Sequence, residues 1–337
     1  MKAAVYEGLH EIYVRDVPEP EIGPKDVLIR PKYVGICGSD LSAWELGMFE
    51  GGVVIGHEFS GEVVAIGNEV EHLSLGDKVV PNSLIPCLTC KYCKSERYSL
   101  CENTQMVGIS MNGGMAELVS LPDSIVYKLP PNADLKNAAL VEPLSVAIHG
   151  FKRVSCSPDT SLLILGAGPI GLLSLLYAKN IGAKEVFVSE VKQARLELAS
   201  RLGCAHAINP ATTPLALSLE SLTQNRGVDL VVECSGAAAP SAETFSLVNR
   251  GGTILVLGIS EEPVEADFMT GILNELSVEF SYLGYAEFPE AIDLVTTNKI
   301  DVSPLITKVI RLDDVVESGF ESLTRPDSED VKVLVEI

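Results

Sequence analysis

Leu162-Leu163-Ile164-Leu165-Gly166-Ala167-Gly168-Pro169-Ile170-Gly171 is the stretch whose reading decides the fold. Its apolar run reads as a buried strand, and the G-x-G-x-x-G spacing after it opens a helix. In that setting the glycines make a tight turn and let a pyrophosphate approach bare backbone N–H groups. The helix N-terminus adds a favourable dipole. Moving outward, residues 170–181 have helical spacing and end at Gly182, a C-cap position. Glu185–Ser189 reads as a second strand, and 192–202 as a second helix ending at Gly203. Further strands are expected at 229–233, 253–257 and 278–282. Strands alternating with helices predict βαβ units on a doubly wound parallel sheet, an α/β fold.

Glu190 ends the second strand. A carboxylate there accepts both ribose hydroxyl protons and repels a 2′-phosphate, so the expected cofactor is NAD rather than NADP. Before residue 145 the pattern differs. Short β-rich runs at 26–34, 59–66, 78–80 and 115–121 are separated by Gly, Pro and Asp, as in a barrel-like or sandwich domain. After residue 288 a helical stretch and two short strands, 308–311 and 332–336, follow, and the sequence leaves open whether they return to the first domain.

The whole chain has 337 residues, 47% hydrophobic and 21% charged, a balance that suits two globular domains and excludes disordered, collagen-like and coiled-coil classes. No apolar run approaches the roughly 18 residues of a membrane span. The start, Met1-Lys2-Ala3-Ala4-Val5-Tyr6, has no secretory apolar segment, so a cytoplasmic location is expected. The net charge of −21, from 46 acidic and 25 basic residues, repels a nucleic-acid backbone and sets that partner class aside.

Eight cysteines are present, and Cys87, Cys90, Cys93 and Cys101 crowd together. Four thiolates in one short loop close a tetrahedral zinc shell with no open position, which makes a structural site. Lys91, Lys94 and Arg97 lie in the same loop and are expected to offset its negative charge. The rival is an iron–sulfur cluster, whose C-x2-C-x2-C opening matches, but the last cysteine comes too late for that pattern and no proline follows it.

A second set of metal-ligand types is spread over three segments: Cys37 in Gly35–Asp40, His57 and Glu58 in Gly56–Gly61, and Glu142 before Pro143. Taken singly, each has a plain reading: a buried thiol, a core histidine, and a helix-start carboxylate. Together they suggest a catalytic zinc, which uses three protein ligands and leaves one position open.

Gly-Ile-Cys-Gly-Ser-Asp at 35–40, Gly-His-Glu at 56–58, Gly76-Asp77-Lys78-Val79, the four-cysteine lobe, Glu142-Pro143 and Gly166–Gly171 keep one order along the whole chain. In that combination the sequence resembles the zinc-dependent medium-chain alcohol dehydrogenases. The Glu-Pro-x-x-Val-Ala-x-His stretch at 142–149 is similar to the polyol and diol branch, the sorbitol and 2,3-butanediol dehydrogenases.

The resemblance implies a GroES-like β-rich catalytic domain from 1–147 and 284–337, carrying a structural zinc lobe at about 86–102. It implies a Rossmann NAD-binding domain at 148–283, and a cleft between the two domains. It makes Cys37, His57 and Glu142 ligands of the catalytic zinc, with Glu58 a direct or outer ligand. It gives Ser39 the first step of a proton relay. The family's relay histidine is replaced here by Ser42, which does not ionise near neutrality.

Gly166, Gly168, Pro169, Ile170, Gly171, Glu190, Arg195, Leu257 and Ile259 fall at cofactor positions, and Trp44 falls either in the cleft or in the core. The implied reaction moves a hydride between a secondary alcohol, diol or polyol and NAD, in a homodimer or homotetramer. A sugar or sugar-phosphate dehydrogenase is the enzyme alternative. A non-enzymatic zinc module fits poorly with the complete cofactor motif.

Overall fold

Met1–Ser145 together with Tyr285–Ile337 form one unit and Val146–Gly284 the other, in a computed structural model that describes residues 1–224 and 226–337. In the second unit six strands run parallel in the order His206–Ile208, Glu185–Ser189, Ser161–Leu165, Val228–Glu233, Val248–Val256, Ser277–Phe280. The chain winds outward one way from Ser161–Leu165 and then the other. The sheet therefore has a switch point beside that strand's carboxyl end, where open α/β sheets bind ligands. Leu163, Leu165, Phe187, Val231 and Ile254 are buried, as strands covered on both faces require. The helix Pro169–Asn180 follows the glycine turn directly, with Pro169 in its first turn, where a missing N–H costs nothing.

The first unit is built on a seven-stranded sheet. Its main path is Val126–Lys128, Lys78–Pro81, Glu58–Ile66, Asp26–Gly35, Lys332–Glu336, Ile306–Arg311, with Val119–Pro122 also pairing to Asp26–Gly35. Its core gathers Ile29, Val34, Phe59, Val79, Leu121, Phe320, Val333 and Val335. The chain end does return here: Lys332–Glu336 runs antiparallel to Asp26–Gly35, with Leu334 opposite Gly35. Glu58 also lies opposite Gly35, on that strand's other side.

The strand expected at 115–121 begins only at Val119. Met115 and Ala116 are buried loop residues, and Met115 spends its backbone on Ala4 (2.8 Å) and Ile55 (3.0 Å). The run at 253–257 is longer than its apolar core suggests, starting at Val248, with an irregular register between Val228 and Leu230.

Candidate functional site

Cys37 leaves the end of the strand Asp26–Gly35 and caps the helix Gly38–Leu46. Asp40 Oδ2 accepts the Cys37 N–H at 2.9 Å, which locks that turn. His57 and Glu58 enter at the start of Glu58–Ile66, the neighbouring strand. The two strands bring one ligand atom each from Cys37, His57 and Glu58 within 4.8 Å of one another.

Asp40, His57 and Glu58 are buried. Asp40 Oδ1 stands 3.6 Å from His57 Nδ1, and neither atom has a hydrogen-bond partner. Burial works against a charged His57. The Asp40 carboxylate, then the Cys37 thiolate and Glu142, outweigh it and raise the ring's basicity well above its ordinary value. Burial in turn raises the carboxyls of Asp40 and Glu142. The site thus crowds acidic groups and a thiol around a buried imidazole, a setting that suits a divalent cation. A thiolate, an imidazole and a carboxylate are a donor set that zinc accepts, with one position left over.

Glu142 stands beside this set and outside it. It is buried at the start of the helix Val141–Lys152, and its Oε1 accepts the Ser83 hydroxyl at 2.6 Å. Sequence reading passed over two residues here. Ser83 is one. Lys332 is the other: it is buried, donates to Glu58 Oε2 at 2.6 Å and to the Ile36 carbonyl at 3.0 Å, and sits in the chain's last strand. A lysine inside an apolar strand run was the signal that could have flagged it. Ser39 and Ser42, both half-buried, are three apart on the helix Gly38–Leu46 and share a face. Trp44 belongs to the core, with its ring 5.6 Å from Phe320 and 5.1 Å from His10.

The four lobe cysteines come together: Cys87, Cys90, Cys93 and Cys101 offer sulfurs within 4.8 Å of one another. Backbone N–H groups point at the sulfurs, from Cys87 to Cys101 Sγ (3.2 Å), Cys90 to Cys87 Sγ (3.4 Å) and Cys93 to Cys90 Sγ (3.5 Å). The Thr89 hydroxyl, with its own N–H and that of Cys90, pulls the Cys87 thiol down to about 5, while burial pushes Cys93 up to about 12. Lys91 pairs with Glu102 at 3.3 Å and lies over the Tyr92 ring.

In the second unit Gly166 has φ +93°, a conformation that side chains resist, and a Cβ on Gly171 would overlap the Gly166 carbonyl oxygen. Gly168 faces open space, so its backbone is approachable. Glu190, buried at the end of Glu185–Ser189, accepts the Ala167 N–H of the glycine loop at 2.8 Å and the N–H groups of Val191 and Lys192. Pro169, Ile170 and Arg195 are half-buried and Leu257 is buried, but Ile259 is exposed. Glu233, which the sequence reading missed, ends the neighbouring strand and accepts the N–H groups of Ser235 (2.8 Å) and Gly236 (3.1 Å), beside Gly166.

Residues 23–131 match the family described as "Alcohol dehydrogenase GroES-like domain", and residues 169–297 match "Zinc-binding dehydrogenase". The chain is 35% identical to D-xylulose reductase A of Aspergillus niger, over 95% of its own length and 92% of the relative's. It is 31% identical to sorbitol dehydrogenase of Bacillus subtilis, over 99% and 97%. Among solved structures it superposes with a TM-score of 0.95 on a chain from Sinorhizobium meliloti 1021, described as a zinc-binding dehydrogenase bound to NADP. Identity there is 31%, covering 100% of this chain and 99% of the other.

Proposed function

The chain belongs to the zinc-binding dehydrogenases with a GroES-like alcohol dehydrogenase domain, oxidoreductases of alcohols and polyols, and from that premise we propose which of its residues carry the reaction. Cys37, His57 and Glu58 hold the catalytic zinc, with Glu142 as the adjoining carboxylate, and Cys87, Cys90, Cys93 and Cys101 hold the structural one. The observation that carries this reading is the convergence of one ligand atom each from Cys37, His57 and Glu58 within 4.8 Å of one another.

Zinc held there would supply Lewis acidity to a substrate hydroxyl, and a nicotinamide cofactor would supply the hydride acceptor. Ser39 accepts the hydroxyl proton and passes it on. Ser42, on the same helix face, carries it toward water by hydrogen bonding rather than by ionising. Asp40 orients His57, as carboxylates behind metal-bound imidazoles do. Gly166, Gly168 and Gly171 would leave room for the pyrophosphate, and Glu190 would offer its carboxylate to the ribose hydroxyls. Pro169, Ile170, Arg195, Leu257 and Ile259 border the cofactor.

A carboxylate at Glu190 favours NAD over NADP, although the Sinorhizobium relative was solved with NADP. The substrate is a secondary alcohol within a diol or polyol. Reduced thiols in the lobe suit a cytoplasmic enzyme, and no helix among the described residues is long and apolar enough to cross a membrane.

The partner is a second copy of the chain. Phe268, Met269, Ile272 and Leu273 of the helix Phe268–Leu273 are exposed, and so is Phe280 on the adjoining edge strand Ser277–Phe280. Large apolar side chains exposed together mark an interaction surface, and a standard interface takes about 800 Å² from each partner. An open edge strand also pairs antiparallel with its own copy across a two-fold axis.

The test is NADH formation at 340 nm with NAD and NADP against simple secondary alcohols, vicinal diols, polyols, aldoses and sugar phosphates, alongside zinc content. Two zinc ions per chain and NAD-linked turnover on diols or polyols are expected. Turnover confined to sugar phosphates, or to NADP, overturns the substrate or cofactor assignment. Light scattering of the double variant Ile272→Asp, Phe280→Asp should report a smaller particle than the parent; equal sizes overturn the interface.

A further inference from the structure

The two carboxylates beside Cys37 and His57 are restrained unequally. Glu58 is boxed. Lys332 Nζ donates to its Oε2 at 2.6 Å. On another side lies Gly35, where a Cβ would overlap the same oxygen. Glu142 is anchored differently. Its backbone carbonyl accepts the Ser145 hydroxyl at 2.6 Å, which fixes the first turn of its helix, and its carboxylate is held by the Ser83 hydroxyl.

Ser83 is itself immobilised. It is buried, its carbonyl accepts the Val107 N–H at 2.9 Å, and its neighbour Asn82 donates its N–H to the Ile125 carbonyl at 2.8 Å. A hydroxyl on so fixed a backbone is a peg, and the carboxylate it holds is the one left out of the Cys37–His57–Glu58 set.

We propose that Ser83 is a positioning residue that holds Glu142 short of the metal and so keeps the fourth coordination position open for the substrate oxygen. The inference rests on the reading that Cys37, His57 and Glu58 hold zinc. A second carboxylate, as a fourth protein ligand, would fill the position the substrate needs, and catalytic zinc sites keep that position open. One hydrogen bond is a modest tether, and a released buried carboxylate turns toward the nearest cation.

The test uses the full-length zinc protein and its cobalt-substituted form, with chelator competition and the visible cobalt bands as readouts beside turnover. In Ser83→Ala the catalytic-site metal should resist chelator at least about tenfold better, and the cobalt bands should weaken as coordination number rises. Pyrazole, which takes an open position, should bind less tightly. Ser83→Thr, which retains the hydroxyl, should match the parent, and Ser83→Ala with Glu142→Gln should return to it. Glu142→Gln alone, which covers the case in which Ser83→Ala fails to fold, should keep the cobalt bands of the parent site, because its carboxylate is not a ligand.

Unchanged cobalt bands and chelator resistance in Ser83→Ala overturn the inference, as does a hundredfold loss of metal in Glu142→Gln. A parent chain that binds a single zinc overturns the metal reading itself, and this inference with it.

Discussion

Replacing Lys332 with methionine removes a buried cation and leaves its partner in place. Lys332 and Glu58 are each 1% exposed, and Nζ lies 2.6 Å from Oε2. At an effective dielectric near 20 their attraction is about 6 kcal/mol, most of which offsets the cost of desolvating two ions. The pair's net worth is therefore small, but Lys332→Met strands the Glu58 charge in an apolar strand region and also drops the bond to the Ile36 carbonyl. Truncating one member of a buried pair costs about 3–5 kcal/mol.

Trp44, the chain's single tryptophan, sits in the core of the same unit and reports its unfolding by fluorescence. With a urea slope of about 2–3 kcal/mol/M, the midpoint of the chelated protein should fall by about 1–2 M. The double variant Lys332→Met, Glu58→Gln should recover at least half of that loss, because no charge is then stranded. A Lys332→Met shift below about 0.5 kcal/mol, or a double variant no better than the single one, refutes the buried-pair reasoning.

In the other unit, Asp229 accepts the Ser161 N–H (2.8 Å), the Ser161 hydroxyl (2.7 Å) and the Asn249 amide (2.6 Å). Burial alone would raise this carboxyl, but those donors hold it below the usual value of 3.8. A lowered folded pKa gives stability that is present above pH 3.8 and lost as pH falls through the folded value. Asp229→Asn should cost about 1–2 kcal/mol near neutrality after allowance for partial exposure. By circular dichroism in urea that gap should close on acidification, and a widening gap argues against the assignment. Cys93→Ser should lower the melting temperature along with one zinc, whereas Cys37→Ser should lose the other zinc and turnover with melting nearly unchanged. Equal losses of stability would dissolve that division of roles. Gly171→Ala should weaken NADH binding at least about tenfold by titration, since its Cβ would displace the Gly166 carbonyl; full affinity would mean the loop tolerates the shift.

The parallel sheet was readable because its determinants are local. Ser161–Leu165 and the glycine turn announce themselves within ten residues, and Glu185–Ser189 is an apolar run of strand length. Elements with mixed composition were passed over. His206–Ile208 is too short to show a period, and the helix Phe268–Leu273 exposes its apolar residues, so its pattern contradicts ordinary burial. The four cysteines were legible as one site because spacing alone confines them. The Cys37–His57–Glu58 cluster was legible only as a list of ligand types, since Cys37 and His57 meet through the pairing of two strands whose register no local signal fixes.

What the sequence hides at this site is the order in which its charges are matched. Asp40, Cys37 and Glu142 press negative charge on one buried imidazole, and a cation that answers part of it, Lys332, comes from a strand 274 residues beyond Glu58. That distance has a consequence for folding. Lys332 reaches Glu58 from the strand Lys332–Glu336, which pairs with Asp26–Gly35, so the ion pair requires that the chain's last strand be docked. A chain lacking its last strand would expose Glu58 beside Cys37 and His57 without a counter-ion. Such a site would still bind a divalent cation, but with Glu58 fully engaged on it rather than shared with Lys332. The last strand therefore helps set the charge around Cys37, His57 and Glu58 through Lys332.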